Sequence, residues 1–297
     1  MIPRQYVHNP LRIVSRMAFS SSAAMSSDNK TIKSWPKLTL YGDLNMRPFR
    51  NVWMLEEIGF GYHHVNCKPW SKRAKAVHPL GKVPALLVED DDNQQQFVVV
   101  ESAAINTFLG DITREIESNK RTHDDTMNKP SRRLLVPPPA TRLRAKYDSL
   151  TLFIMTELDF QALWIHRKHS DMKNVFGEAP IAVAEAKRQF DKALDAIELE
   201  LNDESGYLLS SGFSACDILL SNCCFWAQQI GWLARSTSED EPSSPVAGDT
   251  TMPKSLSPKL ASYLAQCRRR KAFIKANELR KEQVSERKGK EHHRSKL

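Results

Sequence analysis

The stretch VHPLGKVPALL (77–87) sets a proline inside an apolar run, and FVVVESAAI (97–105) follows it about a dozen residues later. Proline has no N–H to give to a β ladder, so in a strand pattern it is confined to an edge, a first residue, a bulge or a special turn. Pro84 therefore heads a strand, KVPALLV, and the polar turn EDDDNQQQ joins that strand to FVVV as a hairpin. Any fold for this chain must place a sheet here, with Pro84 at its mouth.

The neighbouring segments extend the sheet. LTLYG (38–42) is β-branched and aromatic and closes on Gly42. RPFRNVWMLEEIGFGY carries Pro48 where a first helical turn tolerates it, repeats Phe49, Val52, Trp53, Leu55 and Ile58 at helical spacing, and stops at Gly59 and Gly61. HHVNCK reads as a second strand, and ESAAINTFLGD opens another helix after FVVV. The order is β-α-β, then ββα: a mixed sheet with helices on its faces.

Downstream the period changes to that of helices. YDSLTLFIMTELDFQALWIHRKH is apolar around much of its circumference, as a central bundle helix would be. EAKRQFDKALDAIELEL is amphipathic with Phe190, Leu194, Ile197 and Leu201 on one stripe, and CDILLSNCCFWAQQIGWLA reads as buried. Ser214 and Asp217, three apart before that last helix, form a capping box with Asp in place of Glu, a structural role worth about 1 kcal/mol. REIESNKRTHDDTMNKPSRR is charged and uncapped and RSTSEDEPSSPVAGDTTMP is rich in Ser and Pro, so both are expected to be insertions or linkers. The expected division is a targeting and linker segment over 1–36, a sheet domain over 37–112, a linker over 113–139, a helical domain over 140–275 and a basic tail over 276–297.

Charge and cysteine content exclude several classes. The net charge of +8 resides entirely in the last thirty residues, where twelve Lys or Arg face four Glu, and the rest is balanced. This predicts a solvated, partly helical or disordered tail, and no nucleic-acid partner. No stretch approaches the roughly 18 apolar residues of a membrane span. The five cysteines form neither a CxxC pair nor a metal-ligand spacing, so neither a disulfide framework nor a metal is expected. Residues 1–27 contain arginines and a serine cluster but no acid, as a mitochondrial or plastid transit peptide does, and the chain ends in the peroxisomal tripeptide SKL. Met17 and Met25 are alternative starts that would remove the first signal, so dual targeting is expected, with a cytoplasmic location if both signals are silent.

HPLGKVPALL, ESAAI and YLLSSGFSACDILLSNCCFWA together resemble the soluble glutathione S-transferases from Leu38 to about Lys275. That resemblance implies a thioredoxin-like β-α-β-ββα N-terminal domain, with Pro84 cis, followed by an all-helical C-terminal domain. It also implies glutathione as co-substrate, a small apolar electrophile between the domains, and a homodimer. Val83 would pair its backbone with the cysteinyl residue of glutathione. The helix start at Ser102 and its hydroxyl would hold the γ-glutamyl carboxylate, Glu101 would face the ammonium, and Lys82 would reach a terminal carboxylate. The family's thiol-activating residue is a Ser, Tyr or Cys before the first helix, and GDLNMRPFR contains none of them. Tyr41, Asn45 and Arg47 remain as candidates. Two functions follow: a glutathione transferase that attacks apolar electrophiles or reduces peroxides, or a non-catalytic glutathione-binding or interaction module on the same fold.

Overall fold

The computed structural model describes residues 34–90, 95–121, 134–235 and 252–294. Both terminal targeting signals and the Ser/Pro-rich stretch 236–251 lie outside these residues. Four strands, β1 (Lys37–Tyr41), β2 (His63–Val65), β3 (Ala85–Asp90) and β4 (Gln95–Val100), form one sheet in the order β2-β1-β3-β4. The β1–β2 pair is parallel, and the β1–β3 and β3–β4 pairs are antiparallel. This is the thioredoxin-like arrangement that the family resemblance implies.

Alternation along β1 buries Leu38 and Leu40 on one sheet face and turns Thr39 and Tyr41 to the other. Against the buried face lies α1 (Pro48–Ile58), which starts with proline in its first turn and ends at Gly59, whose φ of 66° supplies the left-handed cap. This helix also contacts α3 (Ser102–Arg121) and two helices of the second half, α8 (Ala215–Gln229) and α10 (Lys271–Arg294), so even Arg50 and Asn51 are buried. Gly42 has φ +141°, and a Cβ there would stand 2.3 Å from Pro48 Cγ and 3.0 Å from Val83 Cβ. Only glycine lets the loop before α1 approach the segment before β3 so closely.

Three local expectations change. A short helix, α2 (Lys72–Val77), precedes the Pro84 segment; its signal was Ser71, whose hydroxyl accepts the Ala74 N–H at 3.3 Å. The third helix runs on to Arg121, through the first residues of the expected linker, because Ile112 and Ile116 prolong the buried stripe of Ile105 and Leu109. The tail is not simply solvated. Residues Lys271–Arg294 form α10, in which Ala276 is buried and Gln283 Oε1 accepts the Leu44 N–H at 2.9 Å.

The remainder is helical. Thr141 caps α4 (Arg142–Phe153), which passes without a break into a π-helical stretch, Ile154–Leu163, then α5 (Trp164–His166) and a second π stretch, Arg167–Asp171. After α6 (Lys173–Phe176), the stripe Phe190, Leu194 and Ile197 of α7 (Pro180–Glu198) is buried, and Leu201 follows it into the core. The next helix, α8 (Ala215–Gln229), is buried on nearly every side, and α9 (Pro258–Arg268) closes over it. A backbone bridge between Leu233 and Lys254 holds the two ends of the 236–251 stretch together. One continuous hydrophobic core joins sheet and helices. The five cysteines are free and buried, and no helix among the described residues is long and apolar enough to cross a membrane.

Candidate functional site

A cleft of about 640 Å³ lies between the Pro84 end of the sheet and the helical half. The sheet side contributes loop 44–47, Phe49, Lys82–Pro84 and Glu101. Opposite them stand Met155, Asp159 and Phe160 of the first π stretch, with Trp164 and Trp226, and α10 adds Arg280. Stretches of π-helix are rare and recur at functional sites, because widening the turn re-aims side chains.

Six predicted residues meet here: Asn45, Arg47, Lys82, Val83, Pro84 and Glu101. The Val83–Pro84 bond is cis, and the ladder begins one residue later, at the pair Tyr41↔Ala85. The His78 Nδ1 accepts the Leu80 N–H at 3.0 Å and shapes the turn leading to Lys82; burial lowers the imidazole's pKa and so favours this neutral acceptor form. Glu101 has φ +71°, an uncommon left-handed conformation for a residue with a side chain. Its carbonyl accepts the Ile105 N–H at 2.9 Å, which opens α3.

Two candidates sit elsewhere. Tyr41 lines a separate depression with His63, His64, Val65, Asn66 and Arg73, because the pleat sends it away from the α1 side. Ser102 is fully buried and does not line the cleft; Arg50 Nη1 donates to its hydroxyl at 3.3 Å, and its carbonyl accepts from Asn51 Nδ2 at 2.9 Å. Ser214 and Asp217 do not line the cleft. The Asp217 carboxylate accepts the Ser214 N–H and hydroxyl, each at 2.8 Å, and also the Leu208 N–H at 3.0 Å and the Tyr263 hydroxyl at 3.2 Å.

Asn45 is exposed at the cleft, with its Nδ2 donating to Asp43 at 3.0 Å. One of its two amide hydrogens is thereby engaged, and the other is left to donate. Arg47 donates through Nε and Nη2 to Asp159 and lies over both Trp164 and Trp226, 5.3 and 5.5 Å from their ring centroids. Its Nη1 makes no hydrogen bond to a described residue.

Beneath this pair is a connection that the sequence did not reveal. Arg50, fully buried, pairs with Asp159 at 2.6 Å, donates to Asn222 Oδ1 at 2.7 Å and lies 3.4 Å from Cys223 Sγ. Burial works against the Asp159 charge, but two guanidiniums outweigh it and hold the carboxyl below its ordinary range. Two guanidiniums share one carboxylate, so the cleft floor is cationic and suits an anion such as a thiolate. Asp159, Arg50 and Arg280 gave no separate signal, since each resembles a surface charge in sequence.

No group of three or more His, Cys, Asp or Glu placed to hold a metal occurs among the described residues. Residues 48–112 match the glutathione S-transferase N-terminal domain family. No match to a curated protein sequence was found. Among solved structures, a glutathione transferase from Methylococcus capsulatus is 21% identical with TM-score 0.56, over 82% of this chain and 98% of its own. Ure2p in complex with glutathione is 17% identical with TM-score 0.57, over 86% and 99%. Ure2p5 from Phanerochaete chrysosporium, cocrystallized with 1-(S-glutathionyl)-2,4-dinitrobenzene, is 12% identical with TM-score 0.58, over 85% and 98%. With a thioredoxin-like sheet domain that matches the family's N-terminal domain, and a helical half completing the same architecture, the chain has the fold of the glutathione S-transferases.

Proposed function

We propose that the protein is a glutathione transferase. The observation that carries this reading is the convergence of Asn45, Arg47, Lys82, Val83, Pro84 and Glu101 on one cleft. Glutathione lies along the Pro84 edge, its cysteinyl backbone against Val83, its ammonium toward Glu101 and a terminal carboxylate toward Lys82. A free thiol titrates near 8.5, so at neutral pH most of it is protonated. The free amide hydrogen of Asn45 and the Arg47 guanidinium stabilise the thiolate; its proton passes to water, and the sulfur attacks an electrophilic carbon. Tyr41 has no part in this step.

A second reading, a glutathione-binding module without catalysis, draws on one observation: loop 43–47 offers no hydroxyl or thiol, and Asp43 already holds the Asn45 amide. Retention on immobilised glutathione followed by turnover of 1-chloro-2,4-dinitrobenzene separates the two. The transferase reading expects both, with Asn45→Ala or Arg47→Gln lowering kcat/KM about tenfold or more and Tyr41→Phe leaving it unchanged. Retention without turnover establishes the module, and absence of both refutes the two readings together. Homodimerisation and delivery to mitochondria or peroxisomes belong to the same proposal, tested by sedimentation and by fluorescent fusions at either end.

A further inference from the structure

The cations of the cleft are not all accounted for by glutathione or by the acids that line it. Arg47 is held by Asp159, and Lys82 belongs to the glutathione side. Arg280, which reaches the cleft from α10, is different. Its guanidinium carbon lies 4.9 Å from the centroid of the Phe49 ring, and its Nη2 donates only to Asn277 Oδ1, one turn back on its own helix, at 2.6 Å. Among the described residues no carboxylate lies within ion-pair reach of it.

The other buried or half-buried arginines at α1 each have a carboxylate partner. Arg50 meets Asp159 at 2.6 Å, and Arg270 is bidentate to Glu57 at 2.6 and 2.7 Å. Burial opposes the charge of both, yet their carboxylates more than compensate, whereas burial alone lowers Arg280, with nothing opposing it. A cation withdrawn from water without a counter-charge, at the wall of an open cleft, is a place prepared for an anion. The acids lining the cleft are Glu101, Asp159 and Asp171, against Arg47, Lys68, Lys82, Arg167 and Arg280, with His78 neutral by its lowered pKa. The balance favours a negative ligand.

We propose that the second substrate of this cleft is a carboxylate-bearing electrophile, whose carboxylate pairs with Arg280 while Phe160, Trp164 and Trp226 hold its apolar body. This rests on the transferase reading and narrows its substrate from an apolar electrophile to an amphipathic anion. For an aryl chloride the step is a substitution. The thiolate sulfur bonds to the ring carbon that carries chlorine, the C–Cl bond breaks, and chloride leaves with the electron pair.

The full-length protein is titrated calorimetrically with the glutathione conjugate of 4-chloro-3-nitrobenzoate and with that of its neutral carboxamide, and kcat/KM is measured for the two parent chlorides. The wild type should bind the carboxylate conjugate about tenfold or more tighter than the carboxamide. In Arg280→Gln that ratio should fall toward one, and Arg280→Lys should keep part of it; binding of the carboxamide by the same variants shows that they fold. A wild-type ratio near one overturns the inference, as does a ratio that Arg280→Gln leaves intact. Equal weakening of both conjugates overturns it too, since Arg280 would then serve the glutathione moiety common to both. If neither conjugate nor glutathione binds, the transferase reading itself fails and takes the inference with it.

Discussion

Replacing Asp159 by Asn tests the account of the buried charges most directly. The carboxylate is 2% exposed; its partner Arg50 is fully buried and Arg47 is 24% exposed. Asparagine keeps the shape but removes the counter-charge, and the two arginines respond differently. Arg47, at the cleft, recovers hydration. Arg50 cannot: its remaining partners, Asn222, Ser102 and two sulfurs, are neutral. Breaking a buried pair in this way costs about 3–5 kcal/mol, a large part of the roughly 5–15 kcal/mol that keeps a typical domain folded. For a chain of this size that is a fall in Tm of about 6–20 °C, measurable by calorimetry or by urea midpoint. In the double variant Arg50→Met/Asp159→Asn no isolated charge remains inside, and the residual cost is the unpaired acceptors, about 1–3 kcal/mol; it should be more stable than Asp159→Asn alone. The pH dependence has a definite sign. A carboxyl held below its unfolded value near 3.9 contributes stability above that pH and loses it as pH falls through the folded value. The gap between wild type and Asp159→Asn should therefore narrow in acid below about pH 4. A loss under about 1 kcal/mol, or a double variant weaker than the single one, would refute the reasoning.

Three further outcomes are expected. Burial pushes the Asp217 carboxyl up to about 6 despite the bonds it accepts; the folded state then holds its proton more tightly than the unfolded chain, so its contribution is complete below about pH 4 and is lost as pH rises to about 6. The stability advantage of wild type over Asp217→Asn, read from urea midpoints, should accordingly shrink by up to about 3 kcal/mol between pH 4 and 7, and a pH-independent difference would contradict this. Gly110→Ala would place a Cβ 2.3 Å from Val136 Cγ2, a fully buried methyl; despite a helix propensity better by about 1 kcal/mol, the variant should lose about 1–3 kcal/mol from overpacking, and a raised Tm would show that the 134–139 loop yields. Glu101→Gly should relieve about 1 kcal/mol of left-handed strain while weakening glutathione binding in calorimetry, and unchanged affinity would remove Glu101 from the ammonium site.

The parts legible in sequence are those specified by neighbours a few residues apart. Alternation gave β1 and its inward Leu38 and Leu40, the 3.6-residue stripe gave α7, and proline and glycine marked both ends of α1 and the start of β3. The same local rules placed Val83, Pro84, Lys82 and Glu101 beside one another, because they flank a single hairpin. The same alternation sets Tyr41 on the sheet face of Thr39 and not on that of Leu40. Only the tertiary structure decided the rest. It showed which face opens on the cleft, that Arg50 of α1 meets Asp159 of the π stretch and Asn222 of α8, and that a lysine-rich tail brings Arg280 to the site. Periodicity is a property of the backbone and is written in each segment. The partner of a charge depends on which distant segments fold against it, and one arginine on a helix looks like any other until that helix is covered.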